Sequence, residues 1–198
     1  MKFRLLLLGL GLFAAVQTRA ENTTRVLLTT DSGEIELVLY PDQAPLTVAN
    51  FLRYVDRGFY NDGVFHRTVT PDNQPQNKIR IEVIQGGITP AKERDVGPPI
   101  ALERTNETGL KHRDGTISMA RLEPDSAASD FFICINAQPE LDFGGQRNPD
   151  GQGFAAFGQV VRGMEVVRAI QRAPAEGQTL TPPVKITHAR QLDVGRSR

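Results

Sequence analysis

Short runs in which apolar residues recur at every second position appear along most of this chain, and no other feature narrows the possible folds as much. Alternate side chains of a strand point to opposite faces, so such runs need a sheet with one covered and one wet face. In 24–30, Val26 and Leu28 alternate with their neighbours, and Asp31-Ser32-Gly33 then supplies a turn. Ile35, Leu37 and Leu39 follow at period two, with Glu34 and Glu36 on the other face, which reads as a hairpin. Six more strand candidates follow at 64–67, 78–85, 115–119, 131–135, 155–161 and 184–188. Helical spacing occurs twice. Val48, Phe51, Leu52 and Val55 form one stripe, with Pro45 suited to a first turn and Gly58 placed to end the helix. Met164, Val167 and Ile170 mark a second, shorter helix. Eight strands and two helices predict a mainly β fold, a closed eight-stranded antiparallel barrel capped by two α-helices. Closure also removes exposed sheet edges. The long irregular stretches at about 87–114 and 136–153 are where a site is expected.

The N-terminus reads differently. Lys2 and Arg4 precede an unbroken run of apolar residues and glycine from Leu5 to Val16, and Thr18-Arg19-Ala20 ends in a small residue. That run is too short to span a bilayer comfortably, so 1–20 reads as a cleaved signal peptide and 21–198 as one domain. An uncleaved anchor or a buried first helix is the alternative. No later stretch approaches membrane-spanning length, so no stable membrane insertion is expected. Cleavage after Ala20 takes the 23 Lys and Arg down to 20 against 23 Asp and Glu, a formal charge of −3. That balance argues against a nucleic-acid partner, which needs a basic face. The single cysteine, Cys134, leaves an exported chain without an internal disulfide, and within Phe131-Phe132-Ile133-Cys134-Ile135 it reads as a buried, inert thiol. His66, His112 and His188 show no metal-ligand spacing, and no nucleophile-elbow pattern accompanies a serine. Neither a metal nor a cofactor is expected. The 148–153 stretch reads as a turn-rich loop, since Phe157 stands where a calcium loop needs a glutamate.

Several strings then occur in a telling order: Phe65-His66-Arg67, Ile84-Gln85-Gly86-Gly87, Gly115-Thr116-Ile117-Ser118-Met119-Ala120, Phe131-Phe132-Ile133, Leu141-Asp142 and Phe154-Ala155-Ala156-Phe157-Gly158. With the strands and helices around them, they make residues 24–190 resemble the cyclophilin family of peptidyl-prolyl cis/trans isomerases. Met119-Ala120-Arg121 followed by Asp125-Ser126-Ala127 is similar to the bacterial periplasmic members, in agreement with an export signal and a periplasmic or secreted location. The resemblance implies proline-containing polypeptide substrates, a role in folding exported proteins, and a monomer. It assigns catalysis to Arg67, supported by Gln85. It assigns the proline pocket to Val83, Phe132, Leu141 and Phe154, and the peptide-contacting backbone to Ala120 and Arg121. Asp130 takes the place of a customary glutamine at the groove. Phe131 and Phe132 point to opposite faces, so only Phe132 is expected in the groove. His66 is expected to pack within the barrel.

This chain departs from the family pattern in two ways. Arg67 and Gln85 are 18 residues apart, longer than the usual spacing, so 70–79 reads as an inserted, turn-rich loop beside the groove. Glu82-Val83, Asp130 and Glu140 replace larger or neutral residues, which implies a smaller apolar pocket, a more acidic rim, weaker activity on small peptides, and a preference for positively charged segments. The same substitutions motivate a rival reading, a cyclophilin-fold module or holdase that binds proline segments without useful catalysis.

Overall fold

The computed structural model describes residues 22–192, so the predicted signal segment lies outside the described residues. Strands β1 (Thr24–Thr30) and β2 (Gly33–Leu39) form the expected hairpin, and α1 (Pro45–Asp56) follows. Next come β3 (Gly63–Val69), β4 (Val83–Gly87), α2 (Thr105–Thr108), β5 (Thr116–Met119) and β6 (Phe131–Cys134). The chain finishes with β7 (Ala156–Arg162), α3 (Met164–Gln171), β8 (Ala175–Glu176) and β9 (Thr179–Leu192). The sheet order β1-β2-β7-β5-β6-β4-β3-β9 closes through a β1–β9 pairing, so eight antiparallel strands form the barrel and β8 is a two-residue hook on β9.

Two strands and one helix differ most from the sequence reading. Residues 78–82 are irregular and β4 begins only at Val83, because the inserted segment must turn back before pairing starts. The 184–188 candidate is part of a 14-residue strand that pairs with β1, β3 and β8. A third helix, α2, has four residues and no apolar stripe long enough to reveal it in the sequence.

The alternation in the hairpin is realised in its register. Leu28 faces Ile35 and Val26 faces Leu37 across the β1–β2 ladder, and all four are fully buried. Pro45 occupies the first turn of α1, and Gly58 takes a left-handed φ of 65° where its N–H bonds the Val55 carbonyl at 2.9 Å, ending the helix. Phe51 of α1 plugs the barrel, meeting Phe131 edge-on at 5.6 Å and Phe157 at 5.2 Å. Phe65 and Tyr60 also meet Phe131 edge-on, at 5.7 and 5.4 Å. Aromatic pairs of this geometry contribute about 0.5–1.5 kcal/mol each beyond the area they bury.

A second apolar cluster lies on the other face of the wall. Val69, Ile81, Val83, Phe132, Cys134, Leu141 and Phe154 pack together, with Ala120 against them. It arises from the same alternation: Ile84, Phe131 and Ile133 point inward, whereas Val83, Phe132 and Cys134 point outward. Cys134 is fully buried there and burial drives its thiol pKa well up, so it stays protonated and inert.

Candidate active site

The outer cluster floors a hollow of about 240 Å³ whose apolar lining includes Ile81, Val83, Phe132, Leu141 and Phe154. Phe132 and Phe154 meet at 90° with centroids 5.4 Å apart. Arg121 forms a wall rather than an open contact. Its guanidinium lies 5.1 Å from the Phe154 ring centroid, pairs with both Asp150 carboxylate oxygens at 2.7 and 3.0 Å, and donates to the Gly153 carbonyl at 2.8 Å.

Arg67 reaches this face through a bulge. Phe65 of β3 points into the barrel, and strict alternation would send Arg67 inward too. The register with both β4 and β9 shifts between Phe65 and Arg67: Phe65 faces Gly86 and Arg67 faces Gln85, leaving His66 as the extra residue. One inserted residue reverses the facing, so Arg67 emerges on the outer wall. His66 therefore does not pack within the barrel as the sequence suggested. Its side chain is 40% exposed, with Nε2 3.7 Å from Asp130 Oδ2.

Among the described residues the Arg67 guanidinium is held by amide oxygens alone. Its Nη1 donates to Gln85 Oε1 at 2.9 Å, and its Nε and Nη2 both donate to Gln178 Oε1 at 2.9 and 2.6 Å. Gln85 in turn donates to Asp130 Oδ2 at 3.3 Å, and Gln178 to the Asn73 carbonyl at 3.1 Å. Among the described residues no carboxylate oxygen lies within 4.0 Å of Arg67. Burial lowers its pKa from the ordinary value, yet a guanidinium starts so high that it keeps its charge. A fixed, uncompensated cation thus stands beside an apolar hollow, with two of its five N–H groups left over.

A second hollow of about 230 Å³ adjoins the first and shares Gln85, Ala120, Arg121 and Leu122 with it, while Asp130 lies at its far side. Leu122, 88% exposed, stands between the two. The Ala120 N–H bonds the Asp130 carbonyl at 2.9 Å. The Ala120 carbonyl and Arg121 N–H have no hydrogen-bond partner among the described residues, which leaves one acceptor and one donor for an extended chain lying across both hollows. A Cβ on Gly87 of β4 would meet the Asp130 carboxylate, so a side chain there would have to push that carboxylate aside.

Every site residue singled out in the sequence lies along this groove, but of the three acids expected on its rim only Asp130 is there. Glu82 turns away to accept from Asn136 Nδ2 at 3.0 Å, and Glu140 Oε2 accepts from the Gln146 N–H at 2.8 Å. Neither lines a hollow. Ile81, Leu122, Arg147, Asn148 and Gln178 were not identified from the sequence. Ile81 was the accessible one, because 81, 83 and 85 continue the period-two face; the others lie on loops without periodicity.

Behind Phe132 lies a linked Ser–His–Asp set. His112 Nδ1 is 2.8 Å from Asp142 Oδ1, its Nε2 is 3.0 Å from Ser118 Oγ, and its ring stacks on Phe132 at 5.9 Å and 16°. Ser118 is fully buried, so nothing reaches its hydroxyl, and the set braces Phe132 from behind instead of acting as a nucleophile. Burial lowers the His112 pKa and outweighs the opposing pull of Asp142. Burial also pushes Asp142 up, but the hydrogen bonds from His112 outweigh it and hold the carboxyl below its usual value. Among the described residues no cluster of three or more His, Cys, Asp or Glu could hold a metal.

The fold and site define a closed antiparallel barrel with an apolar groove on its outer wall, floored by aromatic and aliphatic side chains and edged by an arginine that has no carboxylate partner among the described residues. The chain belongs to the cyclophilin type peptidyl-prolyl cis-trans isomerases, whose family model matches residues 25–191, and it is an enzyme of that reaction. It is 42% identical over 160 residues to peptidyl-prolyl cis-trans isomerase A of Dickeya dadantii, covering 79% of this chain and 76% of the relative. It is 39% identical over 144 residues to peptidyl-prolyl cis-trans isomerase B of Escherichia coli, covering 72% and 80%. The fold is shared with the crystal structure of a Cryptosporidium parvum cyclophilin type isomerase at a TM-score of 0.70 and 22% identity, covering 87% of this chain and 99% of that one.

Proposed function

We propose that Arg67 catalyses rotation about X–Pro bonds by binding the prolyl nitrogen as its lone pair localises, while the hollow floored by Phe132 grips the proline ring. Amide rotation costs about 18–20 kcal/mol because conjugation is lost at the twist. No bond is made or broken, so the enzyme only has to favour the twisted state over both planar ones. The observation that carries this reading is the arginine fixed by Gln85 and Gln178 with no acidic partner. A charge already neutralised by a carboxylate would have little left for the twisted amide. A charge-assisted hydrogen bond supplies part of the stabilisation, and a preorganised, partly dry groove supplies more. Lowering the barrier by about 7 kcal/mol accelerates exchange roughly 10⁵-fold.

The substrates on this reading are proline-containing segments of exported proteins, met in the periplasm or outside the cell by a monomeric domain spanning 21–198. The charged start and apolar run of 1–20 support export. The test is protease-free isomerisation of an X–Pro peptide panel by the protein beside an Arg67→Ala variant of equal thermal stability. The reading expects activity that falls at least about tenfold in the variant, equivalent to about 1.4 kcal/mol of barrier. Equal activity in both would overturn the arginine mechanism. Peptide binding without activity in either would leave a binding module or holdase.

A further inference from the structure

The mechanism above leaves Arg147 unused, although its side chain lines the same hollow as Arg67. Its placement is built rather than incidental. The backbone N–H of Arg147 bonds the Glu140 carbonyl at 3.1 Å, and its Nη1 donates to Gln74 Oε1 at 3.0 Å and to the Ile79 carbonyl at 2.7 Å. Both acceptors belong to the inserted 70–79 segment. Gln74 is only 1% exposed, and its Nε2 donates to the Thr70 and Ile81 carbonyls, each at 2.7 Å. A 3-10 turn at Pro71–Asn73, closed by a reciprocal Thr70–Asn73 cap, starts the segment. The insertion thus fixes Arg147 through Gln74 and Ile79, and it holds Arg67 through the Asn73 carbonyl and Gln178.

Charge decides what this arrangement can take. Both partners of the Arg147 guanidinium are neutral, and among the described residues no carboxylate oxygen lies within 4.0 Å of it. Arg121, on the same hollow, is by contrast neutralised by Asp150. Nη1 spends its hydrogens on the insertion, so Nε and Nη2 stay without a partner among the described residues. These two nitrogens form the side-on fork of a guanidinium, which matches the two oxygens of a carboxylate. Burial, and then the nearby Arg67 charge, lower the Arg147 pKa, as expected of two cations sharing a confined space. The far side of the groove carries Asp130 instead.

We propose that Arg147 is a specificity-determining residue that selects substrates carrying an aspartate or glutamate close to the proline, taking the carboxylate on its free Nε–Nη2 fork. This reverses the preference for positively charged segments implied by the sequence. It rests on the groove being the substrate site. Because the insertion already orders the side chain, little conformational entropy is lost when the carboxylate arrives.

The experiment uses acetylated and amidated X–Pro peptides that carry Glu or its isostere Gln at each of the flanking positions in turn. Capping removes terminal carboxylates, so only a side chain can supply the anion; an uncapped Gln peptide then tests whether a terminal carboxylate competes. At low ionic strength the Glu/Gln ratio of kcat/KM is expected to reach about three- to tenfold at one position, and to shrink as salt screens the pair. In Arg147→Gln the ratio should fall to about one, and Gln74→Ala should lower it in part by releasing the side chain. A ratio near one at every position in the unaltered protein, or a ratio that survives in Arg147→Gln, would overturn the proposal. If no peptide is isomerised, the isomerase mechanism fails separately, and the Glu/Gln ratio of dissociation constants, followed by NMR shifts, reads the selectivity with the same two outcomes.

Discussion

Phe131 and Phe132 are neighbours on β6, yet they belong to different parts of the molecule. Phe131 is enclosed by Phe51, Tyr60 and Phe65 in edge-on or near-perpendicular contacts inside the barrel. Among the described residues Phe132 meets two rings, Phe154 within a seven-residue cluster that opens into the groove and His112 behind it. The interior is closed on all sides and contributes stability. The outer wall buries apolar side chains too, but it leaves one side unfilled, and on the proposed mechanism that side takes the proline ring. One strand with a period of two can therefore carry both tasks without either compromising the other.

The sharpest break in this comparison is expected at Phe131. Phe131→Ala should destabilise the fold by about 3–5 kcal/mol in urea or thermal unfolding, the range for a large aromatic removed from a closed core. A loss below about 1 kcal/mol would mean the interior is not the main source of stability. Next in size is Gln178→Ala, which removes the acceptor of two Arg67 hydrogen bonds. It should lower kcat/KM by about fivefold while moving the unfolding midpoint little, as about 1 kcal/mol of lost positioning implies. Arg67→Lys should not restore activity in that background, because an ammonium lacks the fork that Gln85 and Gln178 hold.

A smaller, pH-dependent effect separates the brace behind Phe132 from the rest of the fold. His112 has a lowered pKa in the folded protein, so as pH falls through about 6.5 the unfolded chain takes up a proton that the native state refuses. Its contribution is fully present above that pH and is lost below it. Asp142, also lowered, contributes above about 4 and is lost on further acidification, so the two add in the same direction. Unfolding free energy measured between pH 8 and 5 should decline in the unaltered protein and decline less in His112→Gln. An identical slope in both would show that His112 is not the titrating group.

The barrel was legible because its strands alternate: the eight closing strands follow from Val26, Leu28, Ile35, Leu37 and their counterparts, and the inward Phe131 and outward Phe132 follow from period two alone. Alternation also explains what was misread. With Arg67 on the groove, period two places His66 in the interior because nothing in Phe65-His66-Arg67 reveals a bulge, which is a property of the register with β4 and β9. The groove residues on strands were identified, whereas Gln178, Arg147 and Leu122 lie on turns whose approach to the site depends on the closed fold. Two of the three expected rim acids are elsewhere for a related reason. The sequence showed Glu82 and Glu140 beside pocket residues, but not that Asn136 and the Gln146 N–H would take their carboxylates elsewhere.

The most direct test of the division between interior and outer wall is Phe132→Ala, measured for both unfolding free energy and X–Pro isomerisation beside Phe131→Ala. The account predicts that kcat/KM falls by more than about tenfold. It also predicts a stability loss smaller than that of Phe131→Ala, because the space left by Phe132 opens into the groove instead of forming a sealed cavity. Activity retained in Phe132→Ala, or a stability loss equal to that of Phe131→Ala, would contradict it.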